Sequence, residues 1–281
     1  MISSSAVVGT RVFGVGVVLA ALAFVTPGCA EQREPADVKT LGGGGRIGDL
    51  AVCGDESFDA DQGVCSKDER GEAIRSSAVA CSLEYDDAEG ESTAVEMTFG
   101  GKPVLVGNLG PIDRDQGSLW VRSGSPYELP PGDWSCQLSV GEKALETRFR
   151  TGGTAEAAPL GAVVCLTSRV RAGDCPLGTE AQTFRSPSSL TCSSTIIGDL
   201  QGASVPINVD FEEQPVGSFS SDGKKPVTLA SATFDTKSLD FSDLPAGNEL
   251  PPGDKLPSGE YVCRYYASAI GSWEARFDVT D

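Results

Sequence analysis

Histidine is absent from all 281 residues. That absence removes the Ser/His/Asp triad, the Cys/His dyad, the HExxH zinc site and any histidine general base, so most hydrolase mechanisms are excluded. Positive charge is scarce as well: 22 Lys and Arg face 40 Asp and Glu, a formal charge of −18. Neither a phosphate backbone nor an anionic lipid surface attracts so acidic a chain, and no nucleic acid partner is expected. The bland role of that charge is solubility. No apolar run near the N-terminus is long enough to span a bilayer. The uncharged stretch from Val12 to Val25 holds 14 residues, whereas a membrane helix needs roughly 20, and Pro27 with Gly28 would break one. Helix-period patterning of any length is missing too.

What the N-terminus does contain reads as an export signal, with Arg11 as the only charge before that uncharged stretch. The following Thr26-Pro27-Gly28-Cys29 resembles a bacterial lipobox, although Thr26 and Pro27 stand where Leu and Ala or Ser are usual. The resemblance implies a lipoprotein signal peptide over residues 1–28, and Cys29 as the lipid-bearing, palmitate-carrying first residue of the mature chain. A small-x-small site at Gly28 and Ala30 is the alternative, giving a free secreted protein. Two features favour the lipid. Residues 29–45 read as a polar, Gly-rich tether with an r.m.s. span of roughly 20 to 25 Å. Removing Cys29 from nine cysteines also leaves an even number that can all pair. Membrane contact is then expected through the N-terminal lipid only, at the cell envelope outside the cytoplasm.

The second half of the chain repeats the first in a fixed order, the signature of a duplicated domain. Each copy opens with a close cysteine pair, Cys53 and Cys65 or Cys165 and Cys175, followed by Cys81 or Cys192. An alternating strand comes next, Val95, Met97 and Phe99 against Val205, Ile207, Val209 and Phe211. Lys102-Pro103-Val104 is matched to Lys225-Pro226-Val227, and Ser118-Leu119 to Ser238-Leu239. Glu128 to Asp133 is repeated identically from Glu249 to Asp254. Cys136 or Cys263 follows, and the copies close on Glu146-Thr147-Arg148-Phe149 and Glu274-Ala275-Arg276-Phe277. This matching puts two loop insertions in the second copy, near 212–223 and 255–259. The expected domains are 46–152 and 157–281, joined by the small, polar stretch 152–158.

Both domains are expected to be all-β. Trp134, Cys136, Leu138 and Val140 alternate with polar residues, as do Trp273, Ala275, Phe277 and Val279, the period of half-buried strands. Gly100-Gly101, Pro130-Pro131-Gly132 and Pro251-Pro252-Gly253 supply turns between them, and short strands with such turns build a two-sheet sandwich. The third and fourth cysteines of each copy lie mid-strand, 55 and 71 residues apart, which resembles the inter-sheet disulfide of immunoglobulin domains. Tyr261, two residues before Cys263, stands where that fold has its tyrosine corner, and Trp134 takes its place in the first copy. The resemblance is architectural: no Trp follows Cys81 or Cys192 at third-strand distance, and each copy has an extra cysteine pair. It implies two tandem, disulfide-stapled, immunoglobulin-like β-sandwich domains. One pairing used twice would join Cys81 to Cys136, Cys192 to Cys263, Cys53 to Cys65 and Cys165 to Cys175. The long loops would be worth roughly 4 kcal/mol each and the short ones roughly 3, through chain entropy.

Few residues point to chemistry. Even cysteine parity leaves no thiol nucleophile to expect, and a carboxylate pair carries no information in so acidic a chain. No catalytic residue is assigned, and the protein is not read as an enzyme. Asp55, Asp59 and Asp61 place oxygen ligands at alternate positions, which suits calcium. The segment Asp55 to Cys65 looks faintly like the calcium loops of excalibur-type and EF-hand proteins, but Gly63 occupies the third ligand position and the second copy keeps only Asp174 nearby. The bland reading is a polar loop within a small disulfide ring. A second acidic group, Glu84, Asp86, Asp87, Glu89 and Glu91, reads as a solvated turn. Trp120 and Tyr265-Tyr266 are left open between core and contact surface. The leading expectation is a lipid-anchored, non-enzymatic binding or adhesion module with a protein or glycan partner. Its rivals are a calcium-dependent module, with calcium as the one candidate cofactor, and a spacer subunit of an envelope complex.

Overall fold

The computed structural model describes residues 39–41, 45–176, 180–242 and 254–281. The signal segment 1–28 and the lipidation candidate Cys29 lie outside the described residues. Two β-sandwiches follow one another along the chain, each of the immunoglobulin-like class. In the first, β1 (Lys39–Thr40), β2 (Arg46–Ile47), β3 (Ala51–Gly54), β4 (Phe58–Asp59), β5 (Val64–Cys65) and β6 (Ala73–Ile74) are short. They precede the long strands β7 (Ala78–Asp86), β8 (Ser92–Phe99), β9 (Lys102–Pro111), β10 (Gln116–Gly124), β11 (Gly132–Val140) and β12 (Lys143–Thr151). One sheet is ordered β1-β2-β7-β10 with β3 also on β7, and the facing sheet β6-β12-β11-β8-β9.

The second sandwich repeats that order with β13 (Ala157–Pro159), β14 (Val163–Leu166), β15 (Thr183–Arg185), β16 (Ser189–Gly198), β17 (Val205–Phe211), β18 (Gln214–Ser221), β19 (Val227–Asp235), β20 (Gly259–Ala267) and β21 (Gly271–Thr280). Its sheets are β13-β16-β14 with β19 on β16, and β15-β21-β20-β17-β18. In both copies a short strand runs parallel to the last one, Ile74 beside Thr151 and Phe184 beside Val279. The inner faces are the alternating sets: Trp134, Cys136, Leu138 and Val140 are buried, and so are Trp273, Ala275, Phe277 and Val279. Disulfides join Cys81 to Cys136 and Cys192 to Cys263 between the sheets, and Cys53 to Cys65 and Cys165 to Cys175 in small rings.

The structure corrects the matching of the two copies at four points. Hydrogen-bond register pairs Val121 with Cys81 and Ala232 with Cys192, so β10 and β19 are counterparts. Lys102-Pro103 opens β9, whereas Lys225-Pro226 precedes β19, and the Lys-Pro-Val match therefore joins strands that are not equivalent. Ser118-Leu119 lies within β10, whereas Ser238-Leu239 follows the end of β19. The segment 212–223, expected as an inserted loop, contains β18, the counterpart of β9. The fourth correction concerns the repeated hexapeptide. Leu129 donates its N–H to the Ser76 carbonyl at 2.9 Å, and it is Leu256 that does the same to Pro187, also at 2.9 Å. Both leucines are buried. The counterpart of Leu129-Pro130-Pro131-Gly132 is thus Leu256-Pro257-Ser258-Gly259; the identical second hexapeptide falls earlier, and its residues 249–253 lie outside the described residues. The difference in disulfide separation, 55 against 71 residues, arises between β19 and Leu256.

The segments flanking the first domain are built into the fold. Lys39 and Thr40, within the stretch read as a tether, pair with Ile47 and Arg46, and Leu41 is 4% exposed in the first core. Its apolar side chain is what draws that end of the tether in. At the other end, Gly152 donates to the Ile74 carbonyl at 2.9 Å, and Glu128 accepts both the backbone N–H and the hydroxyl of Thr154. Those two bonds hold the Glu128 carboxyl below its ordinary pKa. The first core continues across the junction to Ala158, Leu160 and Ile197, with Val227 against it.

Candidate binding cleft at the domain junction

The first copy's small ring lies on the outer face of its sheet. Cys65 donates its N–H to the Ser82 hydroxyl at 3.0 Å, and Ser118 donates to the Gln62 carbonyl at 2.6 Å. Phe58 meets Trp120 edge-on at 5.2 Å. Trp120 is therefore a covered outer-face residue, 5% exposed. Gly63 is required here: its φ is +69°, and a Cβ would sit 2.2 Å from the indole.

The ring spends the carboxylates considered for calcium on other partners. Asp55 accepts two guanidinium bonds from Arg122, at 2.6 and 3.0 Å. Asp59 accepts the backbone N–H groups of Asp61 and Gln62, which caps the β4–β5 turn. Asp55, Asp59 and Asp61 are not brought to one point, and among the described residues no three His, Cys, Asp or Glu side chains are placed to hold a metal ion. A pocket of about 120 Å³ beside them is lined by Asp55, Glu56, Glu69 and Glu72 with Arg75. Glu69 there accepts from Gly54 N–H and the Ser57 hydroxyl, both at 2.8 Å. Of the second acidic group, Asp86 is ion-paired with Arg46.

The second domain carries polar groups where the first has apolar ones. Leu138, Leu145 and Leu83 have Tyr265, Trp273 and Ser194 as their register counterparts. Tyr265 and Trp273 stack at 5.5 Å. The Trp273 Nε1 donates to the Ser194 hydroxyl at 2.8 Å, and that hydroxyl donates to the Gly161 carbonyl at 2.6 Å. The Tyr265 hydroxyl has no hydrogen-bond partner among the described residues, and burial pushes its pKa up. Asp174, in the second ring, accepts from the Ser193 hydroxyl and from Cys175 N–H, yet burial still raises its pKa above 3.8. Tyr265 belongs to the core, whereas Tyr266 is 53% exposed on the outer face of β20.

Above Trp273 lies a cleft of about 1010 Å³. Gly161 to Val164 form one side, and β21 from Ser272 to Asp278 forms the other. Residues 180–182 close one end: Ala181 N–H donates to the Val164 carbonyl at 3.1 Å, and Asp278 N–H to the Gln182 carbonyl at 2.8 Å. Pro126 and Tyr127 of the first domain stand at the other end. Along the rim Arg276 pairs with Glu260 at 2.8 Å and Glu274 at 2.7 Å, and Arg264 with Asp210 at 3.0 Å. The two carboxylates raise the Arg276 pKa further. Sequence patterning gave no signal for this cleft, because its walls come from segments with no common period.

No family model matches the chain, and no curated protein does. Several solved structures align locally. The titin fragment I67–I69 aligns at 11% identity over 72% of this chain and 58% of the fragment, with a TM-score of 0.23. The fibronectin(III)-like modules of Clostridium thermocellum CbhA align at 10% identity over 72% of this chain and 84% of theirs, TM-score 0.20. A Bifidobacterium dentium β-glucuronidase aligns at 11% over 89% of this chain and 48% of the enzyme, TM-score 0.27. Scores this low carry no argument about function. The immunoglobulin-like assignment stands on this chain's own strand order, its inter-sheet disulfides and its tyrosine corner, in which Tyr261 donates its hydroxyl to the Pro257 carbonyl at 3.0 Å.

Proposed function

We propose that this chain is a non-enzymatic cell-envelope protein, anchored by a lipid on Cys29, that binds a protein or glycan partner through the cleft where its two domains meet. The observation that carries the reading is the cleft itself: a large concavity with an exposed aromatic, Tyr127, at the junction and a charged rim along β21. Ligand sites favour such places between domains. Four disulfides support folding outside the reducing cytosol, and no helix among the described residues is long and apolar enough to cross a membrane.

Two measurements test it. An intact-mass spectrum of protein extracted from its native membrane should show a diacyl or triacyl adduct on a chain beginning at Cys29; a soluble species beginning at Glu31 would remove the anchor. A photo-cross-linking amino acid at Tyr127 should yield a discrete adduct in cells, and the same group at Val106, exposed far along β9, should not. Adducts at Val106 alone would move the binding surface away from the cleft.

A further inference from the structure

We propose that the free edge of β21 takes up an extended, cationic peptide segment as an added strand along the cleft, an inference that rests on the binding reading above. Among the described residues only β15 pairs with that edge, and only with its last part, Thr183 to Arg185 beside Asp278 to Thr280. Register between β20 and β21 is unbroken from Gly259–Val279 to Ala267–Gly271. Backbone groups along an antiparallel strand alternate between its two sides. Asp278 N–H points outward to Gln182, and the Thr280 carbonyl points outward to Ser186 N–H. Residues of the same parity, Glu274 and Arg276, therefore turn their N–H and C=O groups away from β20 and towards the cleft. The open stretch from Ser272 to Phe277 is about 20 Å long at strand rise. A row of backbone donors and acceptors at that spacing matches another peptide backbone, which is how strand addition gains its affinity.

Charge selects the occupant. Glu180, Glu260, Glu274 and Asp278 line the cleft against Arg264 and Arg276; Glu260 and Glu274 pair with those arginines, which leaves Glu180 and Asp278 as the excess negative charge. A segment bearing Lys or Arg meets complementary charge there. A second copy of this chain, at −18, meets repulsion, and the charged outer face of β21 is the usual guard against such self-pairing. Between the charges the walls are apolar, with Ala162, Val163, Ala181 and Tyr127. A strand that alternates basic and apolar side chains presents one kind to each surface.

The test uses the whole protein and a fluorescent octapeptide of alternating lysine and valine, followed by anisotropy. Two controls accompany it, one with alternate backbone amides N-methylated and one with glutamate in place of lysine. The expected result is binding that weakens at least roughly tenfold on N-methylation, disappears with glutamate, and slows amide exchange at Glu274 and Arg276 while leaving Trp273 and Ala275 unchanged. Equal binding of the N-methylated peptide would overturn strand addition, as would protection at another edge or no binding at all. A Tyr127 cross-link obtained alongside any of those results would keep the cleft as a binding site and remove only the peptide assignment.

Discussion

The indole Nε1 of Trp134 donates to the hydroxyl of Thr151 at 3.0 Å, and that hydroxyl donates onward to the Pro130 carbonyl at 2.6 Å. Pro130 lies four residues before Trp134, as Pro257 lies four before Tyr261. In the second domain the tyrosine reaches that carbonyl directly. The register partner that corresponds to Thr151 is Val279 there. The two domains thus meet the same buried acceptor in two ways, a Trp with a Thr relay or a Tyr with a Val.

Replacing Thr151 with Val should leave a buried N–H and a buried carbonyl unmet, at a cost of about 2 to 3 kcal/mol. Adding Trp134→Tyr to Thr151→Val recreates the second domain's arrangement and should recover much of that loss. Denaturant unfolding of the single and double variants measures the coupling; purely additive losses would show that the relay carries no energy of its own.

Two tyrosines should respond in opposite directions to loss of the hydroxyl. Tyr261→Phe strips the Pro257 carbonyl of its donor and should cost about 1 kcal/mol. Tyr265→Phe removes a buried hydroxyl that has no partner among the described residues and should be neutral or stabilising by up to about 1 kcal/mol. Urea midpoints of the two variants are the readout, and a loss at Tyr265→Phe as large as at Tyr261→Phe would point to a bound water or ligand on that hydroxyl.

Asp174 makes a pH prediction. Burial raises its folded-state pKa above 3.8, so the folded chain holds this proton more tightly than the unfolded one. The penalty of ionising it appears as pH rises from the unfolded value through the raised folded value, and stability falls over that window. Asp174→Asn keeps an acceptor for Ser193 and Cys175 but cannot ionise. The variant should be more stable than the parent at neutral pH and lose that advantage below pH about 4, as read from melting curves across pH; a constant difference would mean that ionisation is not the cause.

Leu129 and Leu256 should be equally sensitive. Both are buried, 0% and 2% exposed, and both anchor the approach to the strand that bears the inter-sheet cysteine. Truncation of either to Ala should cost about 2 to 4 kcal/mol in its own domain. Differential scanning calorimetry of the two variants checks whether the positions are true counterparts.

Much of the fold is legible in local pattern. Period-two alternation marks Trp134 to Val140 and Trp273 to Val279 as half-buried strands, because side-chain direction in a strand depends only on the chain's own pleat. Tyr261 two residues before Cys263 identifies the corner for the same reason. Identity of residues proved a poorer guide to equivalence than register. The hexapeptide at 249–254 copies 128–133 letter for letter, yet Leu256 makes the Leu129 hydrogen bond, since only pairing across the sheet says which residue faces which.

The chemistry-bearing residues were the least legible. Alternating aspartates at 55, 59 and 61 look like ligands along the chain, but Arg122, 67 residues away, takes Asp55, and the turn's own N–H groups take Asp59. The cleft is a further case, assembled from Tyr127, Gly161, Gln182 and β21. By itself the sequence determined the duplication, the β class and the cysteine framework, because each is written in spacing of a few residues or in composition. Only tertiary structure decided the strand equivalences, the burial of Leu41 and Trp120, and the junction cleft with its free strand edge, because each depends on contacts between segments whose separation along the chain carries no repeating signal.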